Sequence, residues 1–150
     1  MLRVTINGDV FTCADGESLL QTLQKNGHGI PHLCHDDRLP AQGGCRLCMV
    51  TVEGEARPVA SCCTPVRDGM VVHTNTPALQ ALRHTNLSLL ARHYPGAAVT
   101  RDPGHTFHQL LADNQVAAGD HGTATTFSDD THPYLAIDMD RCIHCERCVR

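Results

Sequence analysis

The chain reads as an α+β fold. Three observations carry this: apolar residues alternate with polar ones at the N-terminus, a run of leucines at helical spacing follows, and short β-rich stretches recur up to residue 73. Such a mixture places strands and a helix in one layered domain rather than in a helical bundle.

The first strand follows from Leu2, Val4 and Ile6 alternating with Arg3 and Thr5. Asn7-Gly8 is a hairpin-turn signal before Val10-Phe11-Thr12. Asp15-Gly16-Glu17-Ser18 leads into Leu19, Leu20 and Leu23, a helix that Asn26-Gly27 is suited to end. From Ile30 to Gly44 the chain is irregular, broken by Pro31, Pro40 and Gly43-Gly44. Met49 to Glu53, Arg57 to Ala60 and Met70 to His73 are then expected as strands, which closes a first domain at residues 1–76.

A second region, residues 77–131, begins with a helix from Pro77 to about His93, with Thr76 as its cap and leucines at 79, 82, 87, 89 and 90. A further helix is expected from Thr106 to Val116, and the Gly, Thr, Ser and Asp stretch from Ala117 to Asp130 reads as a linker. Residues 132–150 form the tail, with the apolar run Tyr134-Leu135-Ala136-Ile137 ahead of a last cysteine group.

Charge and length limit the function. With 12 basic and 16 acidic residues and no basic run, the chain offers nothing to track a phosphate backbone or an anionic membrane surface. Neither nucleic acid nor direct membrane insertion is expected. There is no signal-peptide core, nor the roughly 18 apolar residues of a spanning helix, so the expected location is the cytoplasm. No complete catalytic site is visible in 150 residues.

The nine cysteines are the informative feature, because cysteine clusters in a reducing compartment serve metals more often than disulfides. Six lie between Cys13 and Cys63, three lie in the last nine residues, and none lies from 64 to 141. Two separate metal-binding regions are implied. In the first, Cys34, Cys45 and Cys48 are followed by Cys62 or Cys63, giving C-x10-C-x2-C-x13-C if Cys62 is the fourth ligand. A close pair on one tight loop, with outer ligands brought in by the fold, suits a [2Fe–2S] cluster. Gly43 and Gly44 let backbone N–H groups approach the cluster sulfurs, and Arg46 lies between the paired cysteines; these three complete the candidate cofactor-binding loop. Zinc ribbons carry two C-x2-C knuckles, and this segment has one. Spacing leaves Cys62 and Cys63 open as alternatives, since neighbouring side chains point to opposite faces of a strand. Cys13 has no partner at ligand spacing and reads as an ordinary thiol.

The run from Cys34 to Val50, with Ser61-Cys62-Cys63-Thr64-Pro65-Val66 and Asp68 to Val72, resembles a known family. It is similar to the N-terminal [2Fe–2S] region of NAD-linked formate dehydrogenase alpha subunits and of the G subunit of NADH-quinone oxidoreductase. The resemblance covers residues 1 to about 93 and implies a β-grasp, ferredoxin-like domain. It also implies that Cys62 is the fourth ligand, alanine being common in the family at the place of Cys63.

The family usually continues with a cluster bound through H-x3-C-x2-C-x5-C. Counted from His93, those cysteine positions fall on Ala97, Thr100 and Thr106, so no cluster is expected there and His93 reads as a helix-end residue. Most other histidines read as solvated. In the tail, Cys142, Cys145 and Cys148 begin the ferredoxin run C-x2-C-x2-C-x3-C of a [4Fe–4S] domain, which stops before its fourth cysteine. The expectation is a part of a longer protein, or a truncated product, with the [4Fe–4S] cluster complete only in the longer parent.

The functional expectation is an electron-transfer module of a larger oxidoreductase, with the rest of the parent chain and a flavin- or NAD-linked subunit as partners. A formate dehydrogenase alpha subunit is preferred, on the spacing from His132-Pro133-Tyr134 into the tail and on the missing histidine–cysteine cluster. The G subunit of NADH-quinone oxidoreductase or the small diaphorase subunit of a hydrogenase is the alternative. A zinc-stapled interaction module is the reading from another class.

Overall fold

Asn7 and Gly8 both take positive φ, 52° and 101°, the conformation a two-residue hairpin turn requires. They join β1 (Leu2–Ile6) to β2 (Asp9–Cys13), paired antiparallel from Leu2 opposite Cys13 to Ile6 opposite Asp9. The computed structural model describes residues 1–119 and 127–150 of the chain. These form two compact units, Met1–Arg83 with Glu146–Arg150, and His84–Cys145.

In the first unit, helix α1 (Leu19–Lys25) starts on a capping box. Ser18 Oγ accepts from the N–H of Gln21 at 3.2 Å, and Gln21 Oε1 accepts from the N–H of Ser18 at 3.0 Å, satisfying two donors that the first turn would otherwise leave open. The helix ends at Asn26, and Gly27 at φ 78° turns the chain back. Leu19, Leu20 and Leu23 are fully buried, each stabilising the fold by about 1.5–3 kcal/mol.

Strands β3 (Met49–Val52), β4 (Val59–Ala60) and β5 (Met70–His73) complete a five-stranded sheet in the order β2-β1-β5-β3-β4. Only β1 and β5 run parallel among these neighbours, with Val4 opposite Met70 and Ile6 opposite Val72; the chain between them supplies the crossover. Val4, Ile6, Val50, Val52 and Val72 pack in the same core as the α1 leucines.

Helix α2 (Pro77–Ala91) is capped by Thr76, whose Oγ1 accepts from the N–H of Leu79 at 3.3 Å. Its buried positions recur every fourth residue, Leu79, Arg83, Leu87 and Ala91, while Leu89 is exposed. The expected leucine stripe is thus narrower than the sequence implies, and an arginine occupies one of its places.

The second unit contains α3 (Gly96–Arg101), α4 (Thr106–Asp113) and a hairpin of β6 (Ser128–His132) and β7 (Leu135–Asp138). Helix α4 ends three residues before the expected Val116, at an Asn114 cap that turns its side chain back to the Leu110 carbonyl at 2.8 Å. The expected linker from 117 to 130 is corrected at its far end, where Ser128 and Asp129 pair with Asp138 and Ile137. Residues 120–126 of that linker lie outside the described residues.

Candidate metal centre

The four cysteines of the first constellation come from three places. Cys34 sits in the irregular segment after α1, Cys45 and Cys48 in the loop that runs into β3, and Cys62 in a 3-10 turn, Ser61–Cys63, directly after β4. Two hydrogen bonds fasten that turn to the loop: the N–H and the hydroxyl of Ser61 both donate to the Cys48 carbonyl, at 3.1 and 2.8 Å. Cys34, Cys45, Cys48 and Cys62 are all buried, whereas Cys63 is exposed. The loop needs unusual backbone to achieve this. Gly43 has φ 68°, and Arg46, a residue with a side chain, has φ 53°, in the left-handed region that non-glycine residues enter at a cost. Arg46 itself is exposed.

The thiols form two pairs. Cys34 is hydrogen-bonded to Cys45, and the Sγ atoms of Cys48 and Cys62 lie 3.4 Å apart. Backbone N–H groups point at them: those of Cys45 and Gly44 at the Cys34 sulfur, those of Cys34, Leu47 and Leu33 at the Cys45 sulfur, and that of Cys62 at the Cys48 sulfur. The hydrogen bond from Cys45 pulls the Cys34 thiol down to about 5 against the opposing effect of burial. The bond from Cys62 likewise pulls Cys48 down to about 6. Their partners are pushed far up by the same bonds, with burial adding to the effect. Each pair therefore shares one proton, and one sulfur of each is prepared as a thiolate, the form that binds metal.

Two arginines serve this loop, and neither is marked by the cysteine pattern. Arg83 is 6% exposed and donates to the carbonyls of Leu47 at 3.2 Å, Met49 at 2.9 Å and Thr74 at 2.8 Å, bracketing Cys48. Burial lowers its pKa, and the charge of Cys48 opposes that. Arg150 donates to the carbonyls of Cys34 at 2.5 Å and Pro40 at 2.6 Å, and Gln42 binds Glu146. An arginine in a buried stripe could be found in sequence only by marking every fourth position of α2 rather than its leucines. Arg150 carries no sequence signal.

Cys13 ends β2, buried, with its Sγ against the Leu2 carbonyl at 3.7 Å, in keeping with an ordinary core thiol. His93 is exposed in the turn after α2. Nearby, in the second unit, Tyr94 Oη lies 2.9 Å from Nε2 of His108, which is 4% exposed, and Phe107 packs edge-on against Tyr94 at 4.9 Å. His108 is an exception among the histidines: its ring fills core space and finds hydrogen-bond partners at both nitrogens, Nδ1 facing the Asp102 carbonyl. In the tail, Cys142 and Cys145 are half-buried and Cys148 is exposed. Among the described residues no three His, Cys, Asp or Glu side chains converge on a single point, in the loop or in the tail.

Comparison with known proteins fits this geometry. A family model described as "2Fe-2S iron-sulfur cluster binding domain" matches residues 1–77. The chain belongs to this family. It is 33% identical to the G subunit of the NADH-quinone oxidoreductase of Rickettsia bellii, over 100% of this chain and 23% of that protein. It is 35% identical to the NADH-ubiquinone oxidoreductase 75 kDa subunit of Reclinomonas americana, over 100% of this chain and 22% of the relative. The chain thus spans less than a quarter of the length of these relatives. Among solved structures, a chain of an NAD+-reducing [NiFe]-hydrogenase in the H2-reduced state superposes with a TM-score of 0.84 at 27% identity, over 99% of this chain and 64% of that one. Among the described residues no helix is long and apolar enough to cross a membrane.

Proposed function

We propose that this chain is the [2Fe–2S] electron-transfer module of an NADH-linked oxidoreductase, with Cys34, Cys45, Cys48 and Cys62 as the cluster ligands. The observation that carries the reading is the pairing of the thiols, Cys34 with Cys45 and Cys48 with Cys62, with backbone amide donors at the sulfurs of Cys34, Cys45 and Cys48. A two-iron centre takes two thiolates on each iron, so two pairs on one loop suit it. A single zinc ion asks instead for four ligands around one point. When bound, the cluster supplies one-electron transfer at low potential, about −400 mV in plant-type centres.

The residues of the chain do the rest. The amides of Gly44, Cys45 and Leu47 give the ligand sulfurs their hydrogen bonds, which help set the potential. Arg83 and Ser61 lock the Cys48 carbonyl side of the loop to α2 and to the Cys62 turn. All four proposed ligands are buried, which limits the access of water to their sulfurs.

The relatives from Rickettsia bellii and Reclinomonas americana, with the hydrogenase chain, favour a subunit of the NADH-quinone oxidoreductase or hydrogenase-diaphorase kind. The tail spacing and the missing histidine–cysteine cluster suggest a formate dehydrogenase alpha subunit instead. In either setting the partners are the rest of a longer chain and a flavin- or NAD-linked subunit. Cys142, Cys145 and Cys148 would supply three ligands of a [4Fe–4S] cluster that the longer protein completes. A reducing compartment such as the cytoplasm keeps these thiols available to iron.

Single serine substitutions test the ligand set. After anaerobic reconstitution and reduction, Cys34→Ser, Cys45→Ser, Cys48→Ser and Cys62→Ser should each lose or alter the rhombic electron-spin signal, while Cys13→Ser and Cys63→Ser keep it. A Cys62→Ser protein with a normal signal, beside a Cys63→Ser protein without one, would reverse the choice between the neighbours.

A further inference from the structure

Cys63 takes no part in the ligand set, yet its position is not that of a bystander. Its Sγ lies 3.6 Å from Sγ of Cys62, within hydrogen-bonding reach for sulfur. A Cβ placed on Gly43 would come within 3.0 Å of the Cys63 sulfur, so the absence of a side chain at Gly43 is what leaves Cys63 its place against the ligand loop. Cys62 and Cys63 also line one open groove of about 270 Å³ with Gly16, Ser18, Ala41 and Pro65, so the exposed thiol and the buried ligand residue meet at the same surface.

We infer that Cys63 is a positioning residue for the metal centre: its S–H donates to the Cys62 thiolate and raises the reduction potential of the cluster. This rests on the proposed ligand role of Cys62. Either sulfur of the Cys62–Cys63 contact can donate, but a ligand thiolate is an acceptor only, so Cys63 is the donor once Cys62 holds iron. One-electron reduction adds negative charge to the iron, sulfide and thiolate assembly. A donor beside a ligand sulfur stabilises the more negative state more than the oxidised one, and so makes reduction easier. Backbone amides already perform this service at Cys34, Cys45 and Cys48; at Cys62 the neighbouring side chain adds a donor of its own.

The test is a potentiometric titration of the reconstituted full chain, followed by its electron-spin signal, for the unaltered protein, Cys63→Ala and Cys63→Ser. Cys63→Ala removes the donor from an exposed position and should shift the midpoint potential downward while retaining iron, sulfide and the rhombic signal. Cys63→Ser keeps an O–H donor and should restore the potential to that of the unaltered protein or above it. An unchanged potential in Cys63→Ala, or the same downward shift in both variants, would overturn the inference while leaving the ligand set standing. Loss of the cluster in Cys63→Ala, with the cluster kept in Cys62→Ser, would overturn both, since Cys63 would then be the ligand.

Discussion

At the scale of single residues, the cysteine loop works because a few positions accept backbone that most residues avoid. Gly43 combines φ 68° with a Cβ position 3.0 Å from the Cys63 sulfur. Gly43→Ala should therefore destabilise the chain by about 1–3 kcal/mol and lower its iron occupancy, as read by denaturant unfolding and iron analysis. The paired thiols make a second prediction. Cys34 and Cys48 are depressed from the ordinary 9.0 to about 5 and about 6, so in the apoprotein each becomes a thiolate as pH rises through those values. Their ionisation contributes stability that is fully present above pH 9.0 and is lost as pH falls through about 6 and then about 5. Cys45 and Cys62 are shifted up and act in the opposite sense, keeping their protons at neutral pH. Thiolate absorbance of the apoprotein should show two cysteines already ionised at neutral pH. No thiolate below about pH 8, under the ordinary range of a free thiol, would contradict the pairing. Spacing marked Cys34, Cys45 and Cys48, but a linear spacing cannot say which sulfur faces which. That depends on β4 and the Ser61–Cys63 turn reaching the loop.

At the scale of elements, legibility followed local signals. The β1–β2 hairpin, α1 and the start of α2 were readable because Asn7-Gly8, Ser18 with Gln21, and Thr76-Pro77 each fix backbone by their own chemistry. Helix α3 was not, because six residues give no apolar stripe, and β6 was not, because Ser128-Asp129-Asp130 has the composition of a loop and becomes a strand by pairing with β7. Arg83 was hidden by the leucines around it. Arg83→Met should destabilise the chain by roughly 3 kcal/mol, because the carbonyls of Leu47, Met49 and Thr74 would lose a shared buried donor. Differential scanning calorimetry would show it, and an unchanged midpoint would mean that the apolar contacts of α2 alone hold the loop. Ser18→Ala removes one half of the capping box and should cost about 1 kcal/mol in the same measurement.

At the scale of the whole molecule, the two units differ in where their cysteines lie. Residues 1–77 match the [2Fe–2S] cluster binding family and hold Cys34, Cys45, Cys48 and Cys62, whereas the second unit has Ala97, Thr100 and Thr106 at the positions counted from His93. Its core there is built from Tyr94, Phe107 and His108. That aromatic core was not legible, since Tyr94 and His108 are distant in sequence and nothing local announces their hydrogen bond. The proposed role in a larger oxidoreductase draws on relatives of which this chain spans less than a quarter. The cluster itself rests on the chain's own residues. Metal and sulfide analysis of the full chain carrying Cys142→Ser, Cys145→Ser and Cys148→Ser, purified anaerobically, addresses it without interference from the tail. A [2Fe–2S] centre in the loop predicts two irons and two acid-labile sulfides per chain, all lost on adding Cys34→Ser and Cys48→Ser. Colourless protein with one zinc per chain and no sulfide would contradict it.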